Sequence, residues 1–262
     1  MRESVDHLAM LRRNLALIAG GRRLSAGERI ATGHPTLDSA LGGGFLRGRV
    51  HELFAGETGD GASAAAFAAM IALRAVGRRS PIFWLRTDES ERLEGAIHAP
   101  GLAELGGDPD SLVLGLAPDA RALLGSAVDA ARCRGLGALI VECRGKCASL
   151  DLTASRRLAL AAEQSGVTLL LLRLEAEPTP SAADTRWAVK ASPSRALEAN
   201  APGAPSFDIE LLRWRSGPAG LRLQLEWNRD RLIFTEPALP GVVVPLSPRR
   251  PAATDAGLRL SA

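Results

Sequence analysis

Between Arg49 and Leu174 the chain alternates short apolar runs with longer stretches of helical periodicity. The runs 49–54 (RVHELF), 81–86 (PIFWLR), 111–116 (SLVLGL), 138–143 (ALIVEC) and 167–174 (VTLLLLRL) read as strands. Near-continuous apolar runs of this length are the mark of strands buried on both faces. The segments between them, 62–77, 91–105, 119–134 and 151–165, read as helices of a length that suits right-handed crossovers between parallel strands. The pattern predicts an α/β fold with a mostly parallel central sheet flanked by helices.

The flanks differ. Residues 5–18 (VDHLAMLRRNLALI) place Val5, Leu8, Leu11, Leu15 and Ile18 at spacings of three and four, an amphipathic helix that Gly20 and Gly21 stop. Residues 36–41 read as a short helix capped by Thr36, and the Gly42-Gly43-Gly44 turn after it needs permissive backbone angles. After a Pro-containing loop at 175–184, the segments 185–192, 207–215 and 220–228 read as strands. The last two are joined by Ser216-Gly217-Pro218-Ala219 as a hairpin, an antiparallel extension of the sheet. Periodicity is lost over 246–262. The chain therefore divides into an N-terminal helical element (1–24), a core (25–245) whose antiparallel extension starts at about 185, and a disordered tail (246–262).

Composition narrows the class. With 46% hydrophobic and 23% charged residues the 262-residue chain can bury a substantial core. No uninterrupted apolar run approaches the roughly 20 residues of a membrane span. The charged N-terminus has no long apolar stretch of a secretory signal, so the expected location is cytoplasmic, away from membranes. Cys133, Cys143 and Cys147 are too few and too clustered for a disulfide scaffold, and with no His nearby they do not form a metal site. Residues 1–50 hold 8 Arg against 4 acids, whereas residues 51–120 hold 5 Arg against 11 acids. Lys146 and Lys190 are the only lysines. Arginine suits protein interfaces as well as phosphates, and its excess also follows from GC-rich coding. A net charge of +3 leaves no strong electrostatic footprint for DNA, so any DNA contact is expected to be weak.

The most informative chemistry lies in a glycine loop. The strand RVHELF runs into Gly56-Glu57-Thr58-Gly59-Asp60-Gly61-Ala62-Ser63, and an Ala-rich helix follows. Strand, G-x-x-x-x-G-K-[ST] and helix are the parts of a phosphate-binding loop. Here Gly56, Gly61 and Ser63 are in place, but Ala62 stands where the Lys belongs. The absent ammonium removes a charge-assisted contact of about 1.5–3 kcal/mol. At a transition state that gathers charge on the γ-phosphate the loss is about 3–4 kcal/mol. Glu57 and Asp60 add repulsion. The Mg²⁺-binding carboxylate expected at the end of the strand 138–143 is Glu142, and its alternative role is a partly solvated acid at the sheet edge. Asp88 and Glu89 are candidates for the water-polarising acid, or simply acids that start a helix. Gly59-Asp-Gly61-Ala-Ser-Ala64 also matches a dinucleotide fingerprint, without the acid about 20 residues on. Trp187, Trp214 and Trp227 read as core residues, with base stacking as the alternative.

Thr32-Gly33-His-Pro-Thr36-Leu37-Asp38-Ser-Ala-Leu41-Gly-Gly-Gly44-Phe-Leu-Arg-Gly48-Arg49 resembles the segment that leads into the phosphate loop of RecA-type recombinases. With RVHELF, the degraded loop before AAAFAAMIALR, and ASPSRALEANAPGAPSFDIELLRWRSG, residues 5–230 resemble the ImuA family, RecA-like accessory proteins of SOS-induced mutagenic translesion synthesis. The resemblance implies a RecA-like P-loop fold and two partners: an ImuB-like inactive Y-family polymerase and an error-prone C-family polymerase. RecA itself is a further candidate partner.

The expectation is a non-catalytic scaffold acting by protein–protein contacts, with no catalytic residues, no metal and no cofactor beyond vestigial ATP and Mg²⁺. The vestigial nucleotide site would comprise Gly56, Gly59, Gly61, Ala62, Ser63 and Glu142. Leu8, Leu11, Arg12 and Leu15 are the expected partner-binding residues. The alternative is an active DNA-dependent ATPase that takes its cation from elsewhere, Lys146 or an Arg of a neighbouring subunit. A dinucleotide enzyme is a third reading.

Overall fold

The computed structural model describes residues 27–76, 80–195, 201 and 203–237. The expected N-terminal helix with Leu8, Leu11, Arg12 and Leu15, and the expected tail over 246–262, lie outside the described residues.

A nine-stranded sheet organises the chain, with a parallel part continued at one edge by antiparallel strands. Its parallel part comprises β3 (Val50–Ala55), β4 (Ile82–Thr87), β5 (Leu112–Ala117), β6 (Ala138–Arg144), β7 (Thr168–Leu174) and β8 (Thr185–Ala191). The strands β9 (Ser206–Trp214), β10 (Arg222–Asn228) and β11 (Ile233–Thr235) continue it antiparallel, as the hairpin pattern predicts. Side chains alternate across the sheet. On β7, Leu170, Leu172 and Leu174 join one core cluster and Leu169 and Leu171 the other, which is why the strand reads as an unbroken apolar run.

One face is covered by α2 (Gly61–Val76) and α4 (Ala99–Glu104); α5 (Ala120–Ala131) and α6 (Leu152–Ser165) cover the other, and α3 (Asp88–Glu94) follows directly on the end of β4. The span Thr58–Val76 is long and apolar enough to cross a membrane by length and composition. Its composition has a simpler cause, burial inside the fold: Phe67, Met70 and Ile71 are fully enclosed, and Phe67 meets Phe207 and Phe234 at ring separations of 5.6 and 5.2 Å. Trp227 stacks edge-on against Phe234 at 4.9 Å and donates its indole N–H to the Leu105 carbonyl at 2.9 Å, so the antiparallel ribbon closes over α2. Trp187 is likewise fully buried.

The segment before the sheet has a mechanical explanation. In the short helix α1 (Pro35–Ala40), Asp38 turns back to accept from the Thr32 N–H and hydroxyl at 2.7 Å each and from the Gly33 N–H at 3.0 Å. Leu37 and Leu41 are buried. Gly44, at φ 112°, allows β1 (Arg29–Ile30) to pair with β2 (Phe45–Leu46): a Cβ there would stand 2.1 Å from the Ile30 carbonyl oxygen. Asp38→Ala leaves three donors without their acceptor. It is expected to cost about 2–3 kcal/mol in urea unfolding, whereas Thr36→Ala, on the exposed face, is expected to cost under about 0.5 kcal/mol.

Four points differ from the expectations. The antiparallel extension starts at β9 and not at about 185, because β8 runs parallel to β3. The cap of α1 is His34, whose Nδ1 accepts from the Leu37 N–H at 3.3 Å, and not Thr36. The helix expected over 91–105 is two helices, because Gly95 sits at φ 80° and Pro100 falls in the first turn of α4. β1, β2 and β11 are two or three residues long, too short for any periodicity to show.

Candidate functional site: the glycine loop

The loop after β3 occupies the place where a phosphate loop belongs, between a buried strand and the start of a core helix. Asp60 donates its N–H to the Glu57 carbonyl at 3.0 Å and the Gly61 N–H turns to the Thr58 carbonyl, forming a 3₁₀ turn over Thr58–Asp60. Gly61 is already helical at φ −55°, and neither Gly56, Gly59 nor Gly61 is among the glycines with positive φ. The Asp60 carboxylate is turned inward, 8% exposed, and accepts from the Ala191 N–H at 2.9 Å, which ties the loop to the end of β8. Glu57 points outward to Lys190, with Nζ and Oε1 3.1 Å apart. That contact holds the ammonium above its ordinary range, and its exposure makes the pair worth little to stability. Ala62 presents an exposed methyl group and Ser63 is half-buried.

Glu142 comes to the same region from β6. It is neither at the sheet edge nor partly solvated: β6 lies between β7 and β4, and the side chain is 3% exposed. The reason is a partner on the neighbouring strand. The Arg86 guanidinium donates to Oε1 at 3.0 Å, and the Trp84 indole N–H donates to Oε2 at 3.3 Å. Burial pushes the carboxyl above its usual range, with Arg86 and then Trp84 opposing. Arg86 also donates to the carbonyls of Ser90 and Gly95 at 3.0 and 2.9 Å, so the pair fastens α3 to the sheet. A second pair, Glu52 with Arg186 at 2.8 Å, is built in the same way on β3 and β8.

Above Glu142 opens a cavity of about 440 Å³ between α2 and the link from α3 to α4. Ala62, Ala65, Ala66 and Ala69 form one wall; Ile97, Leu102 and Leu105 form the other, with Arg86 and Glu142 among its lining. Its lining is mainly apolar, and its cation is committed to Glu142. Asp88 and Glu89 are exposed in the first turn of α3, capped by Thr87, whose hydroxyl accepts from the Ser90 N–H at 3.1 Å. Arg173 is buried, 5.6 Å from the Phe54 ring centre. Among the described residues no group of three or more His, Cys, Asp or Glu side chains could hold a metal ion.

The structure thus brings together Gly56, Gly59, Gly61, Ala62 and Ser63 on one loop, with Glu142 beside it in the lining of the adjacent cavity. The residues do not fit a magnesium nucleotide: the position of the cation carries a methyl group, the loop carries two acids, and both oxygens of the carboxylate are engaged. Arg86, Trp84 and Lys190 were the residues that sequence reasoning missed. Two charges inside otherwise apolar strands, Arg86 in IFWLRT and Glu142 in ALIVECR, were the signal for the buried pair.

No known family profile matches the chain, and no curated protein does. Among solved structures, the crystal structure of the RadB recombinase is similar, with a TM-score of 0.53 at 14% identity over 80% of this chain and 100% of that one. At that identity the likeness speaks for architecture alone. A central, mostly parallel sheet between helices, extended by antiparallel strands, is the RecA-like α/β fold of the RecA/RAD51-type recombinases, and it is the fold of this chain.

Proposed function

We propose that this chain is a non-catalytic RecA-like accessory protein, a scaffold retained for its surfaces after the loss of nucleotide chemistry. The observation that carries the reading is the pairing of Glu142 with Arg86 beneath a loop that has Ala62 in the lysine position. A site that turns over ATP needs a free carboxylate for the metal and a cation for the γ-phosphate. Here the carboxylate is neutralised internally and the cation is missing. The finer assignment is an ImuA-type cytoplasmic partner of an ImuB-like inactive Y-family polymerase and an error-prone C-family polymerase. It rests on the resemblance of the Thr32–Arg49 segment and of the chain around the degraded loop.

One observation favours a second reading, an ATPase with a borrowed cation: Lys190 reaches the loop from β8. Equilibrium dialysis with labelled ATP and Mg²⁺, and a phosphate-release assay with and without single-stranded DNA, separate the two. The expected result is no saturable binding below millimolar nucleotide and no hydrolysis above the buffer rate, unchanged in Lys190→Ala. Hydrolysis that Lys190→Ala or Glu142→Gln abolishes would establish the enzyme. Capture of the two polymerases from damage-induced cells by the tagged chain tests the partnership.

A further inference from the structure

The carboxyl end of β6 carries two thiols that play no part in the proposed scaffold. Cys143 is 3% exposed near the end of the strand, and Cys147 follows four residues later, half-buried. Between them Arg144-Gly145-Lys146 turns sharply: Gly145 takes φ 62° and donates its N–H to the Leu174 carbonyl at 2.8 Å. The turn folds Cys147 back against the same core cluster that buries Cys143, and the Leu150 N–H holds the bend by donating to the Cys147 carbonyl at 3.1 Å. Cys143 and Cys147 both line a cavity of about 500 Å³, and Cys147 also borders a second one of about 720 Å³ that Arg173 and Lys146 line. The acids facing this region are Glu89, Asp119, Asp151, Glu175 and Glu177, and Arg144 joins Lys146 and Arg173 among its cations. A half-buried thiol bordered by a guanidinium and an ammonium stands in the electropositive setting that favours a thiolate, and a second, buried thiol lining the same cavity is placed to resolve it.

We propose that Cys147 and Cys143 form a peroxide-oxidised pair in which Cys147 is the attacking sulfur and Cys143 the resolving one. The Cys147 thiolate attacks one oxygen of hydrogen peroxide, the O–O bond breaks, hydroxide leaves, and a sulfenic acid forms at Cys147. Cys143 then loses its proton and attacks the Cys147 sulfur, displacing hydroxide. The two hydroxides, the Cys143 proton and the solvent proton released when the Cys147 thiolate formed account for two waters. The thiol pair is oxidised by two electrons and peroxide is reduced by two. The product is a disulfide that closes the Arg144–Lys146 turn, where Arg144 pairs with both Glu94 and Glu175.

The neighbouring Cys143 thiol, with nearby backbone N–H groups and Arg173 after it, lowers the Cys147 thiol to about 6 against the opposing effect of burial. At pH 7 such a group is about nine-tenths thiolate, against about 3% for a free thiol. Intrinsic nucleophilicity falls about tenfold over the same range, so the net gain in rate at pH 7 is only about two- to threefold. The shape of the pH profile is therefore the sharper readout.

The experiment uses the reduced full chain. Alkylation of Cys147 by iodoacetamide, followed by peptide mass mapping, is expected to change less than twofold between pH 7 and 8.5. A cysteine tripeptide run in parallel should rise more than tenfold. Exposure to a small excess of hydrogen peroxide should remove two hydrogens from the peptide spanning Cys143 and Cys147, while Cys133, at the other end of β6, stays alkylatable. Cys143→Ser should trap a dimedone-reactive sulfenic acid at Cys147. An alkylation profile parallel to the tripeptide, or oxidation of Cys133 with the pair left reduced, overturns the proposal without bearing on the scaffold reading. Neither measurement depends on a variant folding.

Discussion

Arg86→Met is expected to destabilise the protein by about 3–5 kcal/mol at neutral pH, since it leaves Glu142 charged in the core with only the Trp84 indole N–H and no cation beside it. At this size each kcal/mol moves Tm by roughly 2–4 °C, so a fall of about 6–20 °C is expected. Acid should relieve it. Glu142 is already held above its ordinary carboxyl range by burial, and removal of Arg86 takes away the largest opposing influence. A carboxyl whose folded value lies above its unfolded one binds more protons in the folded state. The variant therefore gains stability as pH falls through the raised value toward about 4.3, and loses it as pH rises. Urea unfolding at pH 7.5 and 5.5 measures the slope. The double change Arg86→Met with Glu142→Leu should recover most of the loss, because an apolar pair of similar volume needs no neutralisation. A loss below about 1 kcal/mol in the single variant would mean that water reaches Glu142.

Phe67→Ala should have an effect of the same size for a different reason. The ring is fully enclosed in α2 and holds Phe207 and Phe234 against the helix. Its removal should cost about 3–5 kcal/mol through lost contact and a residual cavity. The damage should be local in its dynamics as well. Amide hydrogen exchange should accelerate most at Leu225, Trp227 and Phe234, in the ribbon that closes over α2 through that ring. Phe67→Leu, which keeps much of the volume, should lose less. Uniform acceleration across the sheet would show that the ribbon does not depend on this contact.

How far the sequence could be read follows from the range of the interaction involved. The central strands were legible within a residue or two because both faces are buried, and burial on both faces writes itself into consecutive residues. Asp38 and the Gly42–Gly44 turn were legible as a motif, although the bonds to Thr32 and Gly33 that explain the aspartate came only from the structure. The lysine's absence from the loop was plain in the one letter at Ala62. Its surroundings were not. Glu142 and Arg86 are 56 residues apart, and nothing local to either tells that β4 and β6 are neighbours. Lys190 and Glu57, 133 residues apart, meet only because β8 lies beside β3. The break between α3 and α4 was visible in Gly95 and Pro100, but apolar spacing at Ile97, Leu102 and Leu105 masked it.

The bond from Ala191 to Asp60 joins the start of α2 to the end of the strand that leads into the antiparallel ribbon. The carboxylate that accepts it is buried, so the loop cannot turn Asp60 outward without breaking this bond and freeing the last residue of β8; movement of the loop and movement of the ribbon are then a single event.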